Sequence, residues 1–290
     1  MAQVWTCSGL RWSSGGPVLV WGGGRRSALP WGKRVAFAVP EGARRTCVGA
    51  RGHVCPVRAA VSGRSTGARC EECARLDRAH SVAADTIADD PRPYRVYLAW
   101  FGPGMVKVGI TALERGPARL LEQGAVCFSW LGTGPLMAAR RTEELLRAAL
   151  RVPDRIPYAE KRAVRSALPA AADERGAEVR ELHARARALA QWPESLRPAE
   201  CHVVDHMGVF GLVGAPAALG EVLELVPGGA VSGELAAAAG PDLHLAVEGR
   251  GAVVLDTRLM TGWELVPAGA TTGEVGLPVR EFRRKPDGLF

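Results

Sequence analysis

Tyr94-Arg95-Val96-Tyr97-Leu98-Ala99-Trp100-Phe101, then Gly102-Pro103-Gly104, then Met105-Val106-Lys107-Val108-Gly109-Ile110-Thr111, is the stretch from which the fold is read. Both flanks are rich in β-branched and aromatic residues, and the Gly-Pro-Gly between them is turn chemistry, so the segment reads as a hairpin. Arg115–Gln123 follows as a short helix stopped by Gly124, Val126–Leu131 as a third strand, and Pro135–Arg151 as a helix with proline in its first turn. The outcome is a compact β-β-α-β-α unit over about residues 94–151.

Working outward, two further helices are expected at Tyr158–Leu168 and Ala170–Gln191, each with a packing face and a solvated face. After Trp192-Pro193 the composition turns β-rich, with Leu243–Val247, Ala252–Asp256 and Trp263–Val266 spaced like short strands. Toward the N-terminus, residues 1–46 read as short strands between glycine turns, Pro17–Trp21 and Arg34–Val39 the clearest. Residues 47–93 hold four of the seven cysteines and close on the linker-like Asp89-Asp90-Pro91-Arg92-Pro93. The expectation is an α+β chain: a central three-stranded sheet with helices over 94–192, a cysteine-rich segment over 47–93, and β-rich elements at 1–46 and 193–290.

Charge is unevenly placed. Residues 1–90 carry 13 Lys and Arg against 7 Asp and Glu, residues 91–200 carry 18 against 12, and residues 201–290 carry 6 against 11. Only four lysines occur, so nearly all the positive charge is guanidinium, which can grip phosphate oxygens through two donors. A phosphate footprint and a solvated face balanced by an acidic one both fit that pattern. No apolar run approaches the ~20 residues of a membrane helix, and Ser13–Pro17 interrupts any signal-peptide core. A cytoplasmic protein with reduced thiols, no membrane partner and an oligomeric state left open is therefore expected. There is no P-loop, no G-x-G-x-x-G and no G-x-S-x-G, so nucleotide-fuelled and serine-hydrolase chemistry has no support.

Val96-Tyr97-Leu98, Lys107-Val108-Gly109-Ile110-Thr111, Arg119 and Glu143 together resemble the GIY-YIG nuclease superfamily. Its first strand ends in a tyrosine triplet, its second carries an aromatic-Ile-Gly triplet, and its following helices supply an arginine and a glutamate. More closely, Lys107–Thr111 with Arg119-Leu120-Leu121-Glu122-Gln123-Gly124-Ala125 and Thr142-Glu143 is similar to domain-of-unknown-function family 2797, whose members also place a cysteine-rich stretch before this unit. The superfamily resemblance implies phosphodiester hydrolysis of DNA or RNA: Tyr97 would orient or deprotonate a water, Arg119 would stabilise the developing charge, and Glu143 would hold one Mg²⁺ or Mn²⁺. The second tyrosine of the pattern is replaced by Lys107, which can act as a base of lowered pKa or bind phosphate without chemistry.

Each of these residues also has a plain structural role open to it. Tyr97 reads equally as a core aromatic, Arg119 as a helix-surface charge, and Glu143 as a partner of Arg140 or Arg147 at helical spacing. Thr111 reads as a cap for the helix that follows.

Cys70-Glu71-Glu72-Cys73 is a C-x-x-C knuckle, a spacing that lets two thiolates reach one tetrahedral ion. Cys47 and Cys55 are the expected second pair for a structural zinc, with His53 or His80 able to replace one ligand. A redox pair and buried free thiols are the competing readings. Cys7, Cys127 and Cys201 are expected in the core, and Cys201-His202-Val203-Val204-Asp205-His206 is expected to be strand or loop rather than a metal site.

Three functions stay open at this stage. One is a nucleic-acid-associated protein with metal-dependent hydrolysis. The others are a non-catalytic module that binds nucleic acid or another anion on the same fold, and a structural interaction protein docking a partner on its acidic C-terminal part.

Overall fold

A computed structural model describes residues 4–13, 15–78, 90–247, 251–268 and 275–282. His80 and Asp89 lie outside these residues. The chain forms two compact units, Met1–Ser81 with Gly214–Phe290, and Val82–Val213. In chain order the first unit begins with β1 (Trp5–Ser13), β2 (Gly16–Trp21), β3 (Arg26–Ala28), β4 (Arg34–Ala38) and α1 (Glu71–Arg78). The second unit holds β5 (Pro93–Trp100), β6 (Val106–Ala112), α2 (Ala118–Gln123), β7 (Cys127–Pro135), α3 (Leu136–Leu150), α4 (Tyr158–Val164), α5 (Ala172–Arg187), β8 (Arg197–Pro198) and β9 (Val204–Asp205). The first unit then resumes with β10 (Ala218–Val222), β11 (Ala230–Ala239), β12 (Asp242–Val247), β13 (Gly251–Asp256), β14 (Glu264–Pro267) and β15 (Val279–Glu281). The fold is mixed α+β, and among the described residues no helix is long and apolar enough to cross a membrane.

In the second unit the strands run in the order β6-β5-β7-β8, with β9 also on β7. The sheet is thus five-stranded rather than the expected three, because two-residue strands after α5 cap the β7 edge. The β-β-α-β-α order over the central segment is the one observed. Its punctuation is local: Gly104 turns the hairpin at φ 71° and Gly124 ends α2 in the left-handed region. Central strand β5 is buried on both faces, which explains its nearly unbroken apolar run. Tyr94, Val96, Leu98 and Trp100 point into one core, Tyr97, Ala99 and Phe101 into the other. A bulge in β7 opposite Val96 and Tyr97 puts an extra residue, Leu131, into the ladder beside Tyr97.

In the first unit, ten strands form one path, β15-β10-β13-β12-β11-β4-β14-β1-β2-β3. The sequence places the β-rich ends in separate elements, 1–46 and 193–290, whereas the chain joins them: β4 pairs with both β11 and β14. Residues 193–213 fall in the other unit. Buried Arg45 ties these parts together, donating to the carbonyls of Ser62 (2.7 Å), Ser65 (2.5 Å), Arg258 (2.9 Å) and Thr261 (2.8 Å). A guanidinium satisfied by four carbonyls in this way anchors the cysteine-bearing loop to the strand-connecting segment before β14.

Candidate functional site

The residues singled out in the central unit come from four elements. Tyr97 lies on β5, Lys107 on β6, Arg119 on α2 and Glu143 on α3. Tyr97 pairs with Gly109 and Ala99 with Lys107 across the hairpin, so Tyr97 and Lys107 share a face. Tyr97 is 1 % exposed and Lys107 8 %, with the lysine Nζ 5.8 Å from the tyrosine ring centroid. Glu143 is half-buried and Arg119 exposed.

The four are coupled electrostatically. Burial raises the Tyr97 phenol above its ordinary pKa, while Gln123 and the Arg119 guanidinium lower it and Glu143 raises it. Burial, then Arg119, bring Lys107 down to about 8, against the pull of Glu143 and Asp154. Burial and Asp154 raise Glu143, and Lys107, Arg147 and Arg140 oppose that. A buried lysine and an exposed arginine beside a carboxylate and a phenol can hold an anion and exchange protons with it.

Two contributors escaped the sequence reading. Gln123 Nε2 donates to the Tyr97 hydroxyl at 2.8 Å, so the phenol oxygen is an acceptor there and its own proton is free to point elsewhere. Its helix position gave no sign of this, although it stands within the Arg119–Ala125 stretch that carries the family resemblance. Asp154 sits in the loop after α3, its carbonyl accepting from Lys107 Nζ at 3.2 Å. That loop covers the β6 edge, where Val108 N–H donates to Pro153 O at 2.9 Å. Thr111 is not a helix cap: it lies inside β6 with a buried hydroxyl that has no hydrogen-bond partner.

In the first unit, Cys47, Cys55, Cys70 and Cys73 place their sulfurs within 4.8 Å of one another. Thiolates ~2.3 Å from a tetrahedral zinc stand about 3.8 Å apart, so the four could hold a metal ion such as zinc after a small contraction. A tight hairpin presents the first pair, Ala50 and His53 exchanging both backbone hydrogen bonds around Arg51 (φ 53°) and Gly52 (φ 83°). Gly49 N–H and Cys70 N–H point at Cys47 Sγ at 3.3 and 3.2 Å. The N–H groups of Ala59 and Val57 bring Cys55 down to about 7, while burial and the other three thiols push Cys73 to about 12. Backbone donors aimed at sulfur favour the thiolate that a metal needs. His53 is exposed and takes no place in the cluster.

The remaining cysteines divide. Cys7 and Cys127 are in the core as expected, but Cys201 is exposed, in the segment between β8 and β9. His206 is buried, with Nδ1 2.9 Å from Ala125 O, and Val204–Asp205 is a strand.

A family model described as protein of unknown function (DUF2797) matches residues 32–265. Neither the curated proteins nor the solved structures gave a match.

Proposed function

The chain belongs to the DUF2797 family, and we propose that it is a nucleic-acid-associated protein whose central unit is a GIY-YIG-like phosphodiester site. The observation that carries this reading is that Tyr97 and Lys107 share one face of the β5–β6 hairpin, Lys107 Nζ 5.8 Å from the Tyr97 ring, with Arg119 from α2 and Glu143 from α3 near enough to act on both. The element order supports it as well. Arg119, exposed at the rim, meets a phosphate oxygen, and buried Lys107 supplies a second positive charge. Tyr97, its oxygen already held by Gln123, orients the attacking water through its phenolic proton. Glu143, with Asp154 as a neighbouring carboxylate, is the residue that would hold Mg²⁺ or Mn²⁺, and such an ion supplies counter-charge for the leaving oxygen. The four cysteines hold a structural zinc that shapes the loop carrying them.

A second reading, binding without turnover, is favoured by one observation: a lysine occupies the place of the superfamily's second tyrosine and stands against the Tyr97 ring. Purified protein with Mg²⁺ or Mn²⁺ and single- and double-stranded DNA and RNA separates the two. Turnover that falls roughly 10²- to 10³-fold in Arg119→Ala and Glu143→Gln is expected for hydrolysis. Equal cleavage by wild type and Glu143→Ala would exclude it, and salt-sensitive binding with no turnover establishes the second reading.

A further inference from the structure

Outside that site, the first unit carries an aromatic cleft that none of the chemistry above uses. Trp5 on β1 and Trp21 at the end of β2 meet edge to face, ring centroids 5.8 Å apart at 62°. Both are half-exposed. A cavity of about 160 Å³ opens beside them, walled by Phe37, Leu265 and Pro267, with Ser27 as a polar wall group. Ser27 Oγ accepts from Trp21 Nε1 at 2.9 Å, which fixes the indole in place. The glycine turn Gly22–Gly24 brings the chain back so that Arg25 lies over the Trp5 ring, 5.1 Å from its centroid.

The lining selects among ligands. The volume is below the ~300–1,000 Å³ of pockets for drug-sized molecules, yet it suits one planar ring against indole walls. A quaternary ammonium ligand is disfavoured, since Arg25 already occupies the cation position over Trp5. Among the described residues, no acidic one lines the cavity. Arg25 and Arg26 are exposed, and among the described residues neither pairs with a carboxylate. Residues 5–28 carry three exposed arginines, Arg11, Arg25 and Arg26, and no acidic residue, more charge than one mononucleotide needs. We propose that this cleft takes one base of a single-stranded nucleic acid, stacked on Trp21, with the adjoining phosphate on Arg25. It shares no residue with the Tyr97 cluster and does not depend on hydrolysis there.

The test uses the full chain without added Mg²⁺ or Mn²⁺, titrated with a fluorescent single-stranded oligonucleotide and read by anisotropy and by quenching of intrinsic tryptophan emission. Trp21→Ala is expected to weaken binding roughly 5- to 150-fold and Trp21→Phe much less, since a stacking face remains. Arg25→Ala is expected to weaken binding and lower its salt dependence. Circular dichroism of Trp21→Phe shows whether the fold tolerates change at this position. Three outcomes would overturn the proposal: wild-type affinity in Trp21→Ala, inorganic polyphosphate competing as well as an unlabelled strand, or uridine monophosphate binding as tightly as the strand. The first two mean that charge alone is read, and the third that the cleft serves free nucleotides.

Discussion

Gly109 shows how narrowly the Tyr97 hydroxyl is placed. The glycine faces Tyr97 across the β5–β6 ladder, and a Cβ there would overlap the phenol oxygen and the carbon that bears it. Its backbone is not in the left-handed region, so alanine is excluded by space alone. Gly109→Ala is expected to cost about 1–3 kcal/mol through overpacking. Tyr97→Phe in the wild type is expected to cost about 1–3 kcal/mol, because the buried Gln123 amide loses its acceptor. Made together, the two should cost less than their sum, since removing the oxygen relieves part of the overlap. Urea midpoints of the four proteins complete the cycle, and strict additivity would show that the glycine does not position the hydroxyl.

Among the elements, the Cys47–Cys55 hairpin is the one most dependent on backbone geometry. Gly49 has φ 82°, and any side chain there would run into the His53 carbonyl across the turn. Its N–H also points at Cys47 Sγ. Gly49→Ala is therefore expected to weaken metal retention roughly tenfold or more, read by zinc release to a chromophoric chelator or by the thiolate-to-metal band of the cobalt form. Gly52→Ala is the control: it has φ 83° but open space around it, so its effect should be smaller, and equal effects would mean that backbone strain, not the close approach, decides. Elements with local punctuation were readable from sequence, as in the Gly-Pro-Gly hairpin, the Gly124 stop and the proline before α3. Strand β11 was not, because Glu234–Ala239 is rich in helix formers and is held extended by pairing with β12 along its length. Helix α1 has eight residues, too few for a period to show, and takes its place from Cys70 and Cys73.

For the molecule as a whole, what the sequence hides is distance along the chain. The pairing of β4 with β11 joins residues nearly 200 positions apart, and no local pattern encodes it. The Tyr97 cluster became readable through the resemblance, whereas Gln123 and Asp154 matter only once the tertiary neighbours are in place. Global stability offers a test of burial in the second unit. His183 and His206 are both buried, and burial lowers each folded-state pKa below the ordinary ~6.5 against partial opposition from the carbonyls of Trp130 and Ala125. A histidine that resists protonation only when folded leaves the unfolded chain binding more protons once the pH falls below about 6.5, so stability declines there and is unaffected well above it. Glu143 has the opposite sign, its raised pKa favouring the folded state as protons are added. The histidine contribution is isolated by comparison: between pH 7.5 and pH 5.5 the urea midpoint of wild type should fall further than that of His206→Gln, whatever the variant's starting stability. Parallel pH profiles for the two would mean that His206 is protonated as readily in the folded chain as in the unfolded one, and that its contact with Ala125 compensates for its burial.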